Sequence, residues 1–156
     1  MGLRNIVIQG DPILKKKSRK VEKFDERLNI LIEDMKETLK EENGVGLAAV
    51  QVGVLKRVIV VNMDGEIVEL INPEIVEQSG TQEDLEGCLS CPGEYGITRR
   101  PMKVKVKALN KDGKMVEYTK DALLARCFCH EIDHLDGIIF KEKALRMLSP
   151  DELRKE

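Results

Sequence analysis

Two histidines are the only ones in the 156 residues, and they stand four apart around a glutamate: His130-Glu131-Ile132-Asp133-His134. The stretch reads as helix. At about 100° per residue the two imidazoles lie about 40° apart on one face, so their nitrogens can converge on one metal ion. Glu131 sits about 100° from His130, at the flank of that face. There it is better placed to reach a metal-bound water than to be a third ligand. A catalytic site of the zinc type needs three protein ligands and one open position. Upstream stands Glu86-Gly87-Cys88-Leu89-Ser90, and Cys88 completes a Cys-His-His set. Gly87 permits an unusual backbone turn or a close approach beside that cysteine.

Other assignments of the same residues fare worse. A metallopeptidase of the zincin kind takes its third ligand downstream as His or Glu, and no third histidine exists. A four-cysteine structural zinc would use Cys88, Cys91, Cys127 and Cys129. On a helix Cys127 and Cys129 point about 200° apart and cannot chelate one ion. A redox C-x-x-C pair at Cys88 and Cys91 wants its second cysteine in a helix, whereas Pro92 directly after Cys91 suits an extended segment. A binding module without catalysis would not need Glu131, which is present. Gly44-Val45-Gly46-Leu47-Ala48-Ala49-Val50-Gln51 suggests either backbone that something approaches closely or a helix stop followed by a buried strand. Its spacing fits neither a dinucleotide fingerprint nor a P-loop.

These residues need elements to hold them. Asp25 caps an expected helix to about Glu42, with Leu28, Leu31, Ile32, Met35 and Leu39 forming one apolar stripe. Asn43-Gly44 stops it, with glycine expected in the left-handed conformation. Short β-branched runs follow at 57–62, 67–72 and 103–109. The last alternates Val104, Val106 and Ala108 against three lysines, an edge or half-exposed strand. Asn110 to Gly113 is a turn signal, and 115–119 continues as the hairpin partner. Asp121 caps the second helix, to about Leu135, anchored by Leu124, Phe128, Ile132 and Leu135. Ser149-Pro150-Asp151-Glu152 starts a third helix with little chain left to form it. Strands and helices do not alternate in βαβ fashion. The expected class is therefore α+β, with mixed or antiparallel sheets around the central H-E-x-x-H helix, in one domain over 1–156.

Composition narrows the function classes. The formal net charge is −2, which argues against a dedicated nucleic-acid or membrane binder. Two tyrosines, three phenylalanines and no tryptophan leave no base-stacking surface. The basic run Lys15 to Lys20 is followed at once by Glu22, Asp25 and Glu26 and reads as a solvated loop. No apolar run approaches the roughly 18 residues of a membrane span, and the first residues lack a signal-peptide cleavage site. The expected compartment is the cytoplasm, with the four cysteines as thiols or ligands.

Taken together, Gly44 to Gln51, the E-G-C-L-S of Glu86 to Ser90 and the H-E-x-D-H-L-x-G of His130 to Gly137 resemble the three motifs of the peptide deformylase family, in that family's order. The resemblance implies a metal-dependent hydrolase that removes the formyl group from N-terminal formylmethionine of new polypeptides. It implies metal ligation by Cys88, His130 and His134, and one divalent ion, Fe2+ natively, with Zn2+, Ni2+ or Co2+ able to substitute. Glu131 is then the general base, with Gln51 and the backbone N–H of Leu89 as oxyanion donors. Gly44, Val45, Gly46 and Gly87 would border the substrate. Val45, Leu123 and Cys127 are candidates for an apolar methionine pocket, Arg126 adding its stem rather than its charge. Leu123, Arg126 and Cys127 share the helix face of His130. By resemblance Glu86 pairs with Arg100. Asp133 is either an orienting contact or a plain exposed charge. The implied partners are formylmethionyl peptides and a transient ribosome contact. Cys129 stands where the family usually has glutamine, and the tail is shorter and more polar than in members ending in a long helix.

Overall fold

A computed structural model describes residues 2–154. Residues 1, 155 and 156, the very ends of the expected domain and of its charged tail, lie outside the described residues.

The first helix, α1, spans Glu26–Glu42, with the Asp25 carboxylate accepting from the Leu28 N–H at 3.0 Å. Its buried stripe is the expected one: Leu28, Leu31, Ile32, Met35 and Leu39. The stop differs. Asn43, not Gly44, takes the left-handed conformation, at φ 55°. An asparagine tolerates that region because its short polar side chain can bond locally. The Gly44 N–H then closes on the Leu39 carbonyl. Helix α2 spans Ala122–Leu135 and buries Phe128, Ile132 and Leu135, with Leu124 partly buried. Asp121 precedes it as expected, yet its side chain makes no capping bond. The start is pinned from outside. Gln82 Nε2 donates to the carbonyls of Pro101 and Ala122, and the Ala122 N–H donates to Met102. The short α3, Pro150–Arg154, opens on a reciprocal Ser149–Glu152 capping box.

Eight strands follow in chain order: β1 Gly46–Ala48, β2 Val58–Met63, β3 Glu66–Ser79, β4 Gln82–Cys88, β5 Cys91–Arg100, β6 Lys103–Leu109, β7 Met115–Asp121 and β8 Ala144–Met147. They form a five-stranded sheet in the order β1-β2-β3-β6-β7 and a three-stranded sheet in the order β4-β5-β8. Every pairing of these strands is antiparallel. β6 does bury Val104, Val106 and Ala108, but it lies between β3 and β7 rather than at an edge. Its lysines face solvent from inside the sheet, flanked by Glu77 and Glu117, which both reach Lys105. β3 runs on through Pro73 by shifting register between Ile71 and Glu74, since proline cannot donate to the ladder.

Strand alternation sorts the core onto the two helices. Leu47, Val58, Val60 and Ile71 pack with α1, while Ala48, Ile59, Val61 and Leu70 pack with α2. The five-stranded sheet is thus covered by α1 on one face and α2 on the other. The hairpin β4–β5 lies against the remaining side of α2 and carries Glu86, Thr98 and Arg100 to it. The basic run near the start is an exposed loop except for Ser18, as expected. No described helix is long and apolar enough to cross a membrane.

Candidate metal centre

α2 presents His130 and His134 side by side, both buried, their Nε2 atoms 3.2 Å apart. Cys88, at the end of β4, brings its Sγ to 3.3 Å from His134 Nε2. One ligand atom from each residue lies within 4.8 Å of the other two. A tetrahedral ion with metal–sulfur bonds of about 2.3 Å and metal–nitrogen bonds of about 2.0–2.1 Å needs nitrogens about 3.3 Å apart and sulfur about 3.6 Å from nitrogen. The donor set and its spacing fit a divalent metal.

The far nitrogen of His130 is fixed by Glu86: Nδ1 and Oε2 are 2.6 Å apart, so Nδ1 carries the proton and Nε2 keeps its lone pair for a ligand. Glu86 is buried and heavily donated to. Its Oε1 accepts from Thr98 Oγ1 at 2.6 Å, Arg100 Nε at 3.1 Å and Arg126 Nη1 at 2.8 Å, and its Oε2 from Arg100 Nη2 at 2.6 Å. Burial alone would raise its pKa, but the bonds from His130 and Arg100 hold it well below the usual carboxylate range. The expected Glu86–Arg100 pair is present. Arg126 lines the cleft and has a second use. Its guanidinium is buried and spends its charge on Glu86 and Thr98, because β4 and β5 bring both counter-groups against α2. Asp133 is an orienting contact: it accepts from Arg100 Nη1 at 2.7 Å and pairs with Lys143.

Glu131 is buried beside the two histidines, its Oε2 4.0 Å from His130 Nε2 and its Oε1 without a hydrogen-bond partner. Burial pushes its carboxyl up to about 7, against the pull of His130. Gln51, also buried, is held in one orientation. Its Oε1 accepts from the Ala48 N–H at 2.9 Å, which turns Nε2 toward Ser90 Oγ at 3.1 Å and Cys88 Sγ at 3.5 Å. Leu89 follows Cys88 in the two-residue turn that joins β4 to β5.

These groups sit at the foot of a cleft of about 370 Å³ between two sheet edges. β1 and the residues before it give Gly44, Val45 and Gly46; the β4 side gives Leu85, Glu86, Gly87, Cys88 and Leu89; α2 gives Leu123, Arg126 and Cys127. β1 is an edge strand. The Val45 carbonyl accepts from the Asn62 N–H on the inward side, so alternation turns the peptide groups of Gly46 to the open edge. A Cβ on Gly46 would lie 2.6 Å from Cys127 Sγ and 2.9 Å from Glu131 Oε2, so only glycine lets this strand cross α2 so closely. At Gly87 the close approach is real, and the ladder shifts register between Gly87 and Cys88 without a left-handed glycine. A Cβ there would meet the Tyr95 ring at 2.6 Å, and φ is not positive. Leu85 and Tyr95 line the cleft too. Neither was found from sequence, and the only signal was their place on strands whose polar pattern hides them.

The family described as polypeptide deformylase matches residues 3–149. The chain belongs to that family. Its members are metal-dependent amide hydrolases that remove the N-formyl group from new polypeptides. The chain is 53% identical over 155 residues to the peptide deformylase of Acetivibrio thermocellus, covering 99% of this chain and 91% of that one. Among solved structures it resembles the peptide deformylase of Legionella pneumophila, with a TM-score of 0.89 and 44% identity over 99% of this chain and 90% of that one. It also resembles the Met-Ala-Ser-bound class I type b peptide deformylase of Acinetobacter baumannii, with a TM-score of 0.85 and 38% identity over 90% and 98%.

Proposed function

We propose that this chain hydrolyses the formyl amide of N-formylmethionyl peptides with Cys88, His130 and His134 as metal ligands and Glu131 as general base. The observation that carries this reading is the convergence of those three ligand atoms within 4.8 Å beside a buried carboxylate with a free oxygen. A divalent metal held there would acidify a water toward a pKa of about 7 and polarise the formyl oxygen. Ferrous iron is our choice of native ion by resemblance; zinc, nickel and cobalt suit the same donors.

The protein supplies the rest. Glu131 Oε1 takes the proton from the attacking water and later delivers one to the leaving amine. Burial favours the protonated form of this carboxyl and so its taking up of that proton. The Gln51 amide and the Leu89 N–H donate to the formyl oxygen as it gains charge, and each such donor is worth about 3–4 kcal/mol. The open edge at Gly46 pairs with the peptide backbone as an added strand, giving sequence-tolerant binding. Val45, Leu85, Leu123 and Cys127 receive the methionine side chain. We take the chain as one catalytic unit that works in the cytoplasm on chains leaving the ribosome.

The test is anaerobic formate release from formyl-Met-Ala-Ser by the ferrous protein. Wild type should turn over. Cys88→Ala, His130→Ala and His134→Ala should each lose stoichiometric metal, while Cys129→Ala should keep it. Release of amino acids from unformylated peptides, or full metal content in Cys88→Ala, would overturn the reading.

A further inference from the structure

Cys91 has no part in the site described above, yet it faces a ligand. It begins β5 and is the register partner of Cys88 at the end of β4, across the turn Leu89-Ser90. A turn of this kind brings its end residues within about 7 Å, and disulfides span Cα separations of about 4.4–6.8 Å. The two thiols differ in access. Cys88 lines the cleft, whereas Cys91 is 1% exposed and sits in the core with Phe140 and Met147. A small oxidant entering the cleft therefore meets Cys88 first.

We propose that Cys88 and Cys91 form a hydroperoxide-responsive pair, in which oxidised Cys88 is captured by Cys91 as an internal disulfide. The Cys88 thiolate attacks one peroxide oxygen; the O–O bond breaks, an S–OH bond forms, and the other oxygen leaves as water or alcohol after taking a proton. The Cys91 sulfur then attacks Cys88; the S–O bond breaks, the S–S bond forms, and the hydroxide leaves as water with the Cys91 proton. Two electrons pass from the two thiols to one peroxide. The disulfide removes a thiolate ligand, so the metal is released. It also protects Cys88 from sulfinic acid, which thiols cannot reverse, whereas a dithiol reopens the disulfide.

Metal release rests on Cys88 being a ligand, as proposed above; the disulfide does not. The experiment treats metal-loaded protein with hydrogen peroxide and follows free thiols, intact mass, peptide mapping and metal release to a chromogenic chelator. Wild type, with four cysteines, should fall to two free thiols, lose the mass of two hydrogens, release its metal, and regain both after dithiothreitol and remetallation. Cys91→Ser and Cys91→Ala should instead gain oxygen on Cys88 and fail to recover. Mapping a Cys88–Cys127 link, finding sulfinic Cys88 in wild type, or full recovery of the Cys91 variants would overturn the proposal. The wild-type map stands even if neither variant folds. A Cys88–Cys91 disulfide formed with the metal retained would uphold the pair and remove Cys88 from the ligands.

Discussion

Arg126→Met separates two uses of one side chain, the apolar stem read from sequence and the charge found in the structure. Methionine keeps most of the stem and deletes the guanidinium. The guanidinium gives Glu86 one of five donor contacts, at 2.8 Å, and also holds the Thr98 hydroxyl and carbonyl. A hydrogen bond to a buried charged group is worth about 1.5–3 kcal/mol. Stripping a buried ion pair of one partner costs about 3–5 kcal/mol. Four donor contacts remain on Glu86, from Thr98, Arg100 and His130, so the lower range applies: a loss of about 1.5–3 kcal/mol in unfolding free energy. Glu86 orients His130, so metal affinity should fall about 10- to 100-fold, as it does when a carboxylate behind a ligating histidine is disturbed. Arg126→Lys restores the charge without the fork and should recover part of both losses. Leu123→Ala, on an exposed side chain of the same face, should affect neither. The assays are urea unfolding of the metal-free protein, chelator competition for metal affinity, and steady-state kinetics. A rise in KM with stability and metal affinity unchanged would refute the charge argument and restore the stem reading.

Glu131→Gln should keep metal and fold but lose at least about a hundredfold in turnover, measured as formate release per bound metal. Gly46→Ala forces a Cβ to 2.6 Å from Cys127 Sγ and 2.9 Å from Glu131 Oε2, so turnover should collapse while metal content, read by elemental analysis, stays near one. Far from the site, burial alone would raise the pKa of Glu69, but the Lys36 ammonium at 2.7 Å and the Lys111 N–H lower it. A depressed carboxyl adds stability that is full above its unfolded pKa of about 4.3 and fades as pH falls through the folded value. Glu69→Gln should thus be destabilised by up to about 1 kcal/mol at pH 7. The gap should close below about pH 4.3, as followed by urea unfolding across pH.

The two long helices were legible because their apolar positions recur locally and their ends carry caps; Asp25 binds Leu28 as its position implied. β4 and β5 were not. Their residues run Gln82, Glu83, Asp84 and then Pro92, Gly93, Gly96, with little apolar alternation, and burial along β4 reaches only Glu86. Such strands exist through pairing with each other and packing on α2, contacts that no local window holds. The same gap explains Arg126. Its helix position pointed to the cleft, but Glu86 lies 40 residues away and Thr98 lies 28 away, on strands that were unassigned. Leu85 and Tyr95 were missed for the same reason.

What was legible in E-G-C and H-E-x-x-H has a geometric cause that the spacing alone hides. Glu86 and Cys88 are two apart on a strand and so share a face, while Gly87 between them turns to the other face, under Tyr95. Two strand residues advance about 6.6 Å, and four helix residues advance about 6 Å. The strand step and the helix step nearly match. Glu86 therefore meets His130 at 2.6 Å while Cys88 meets His134 at 3.3 Å. One strand delivers both the proposed sulfur ligand and the carboxylate that orients the opposing imidazole. Each motif is then half of one device: the i, i+2 pair on β4 has its use only against the i, i+4 pair on α2. A shift of β4 by one residue would turn Glu86 and Cys88 to the Tyr95 side, leaving His130 without its orienting partner and the proposed metal site with two of its three ligands.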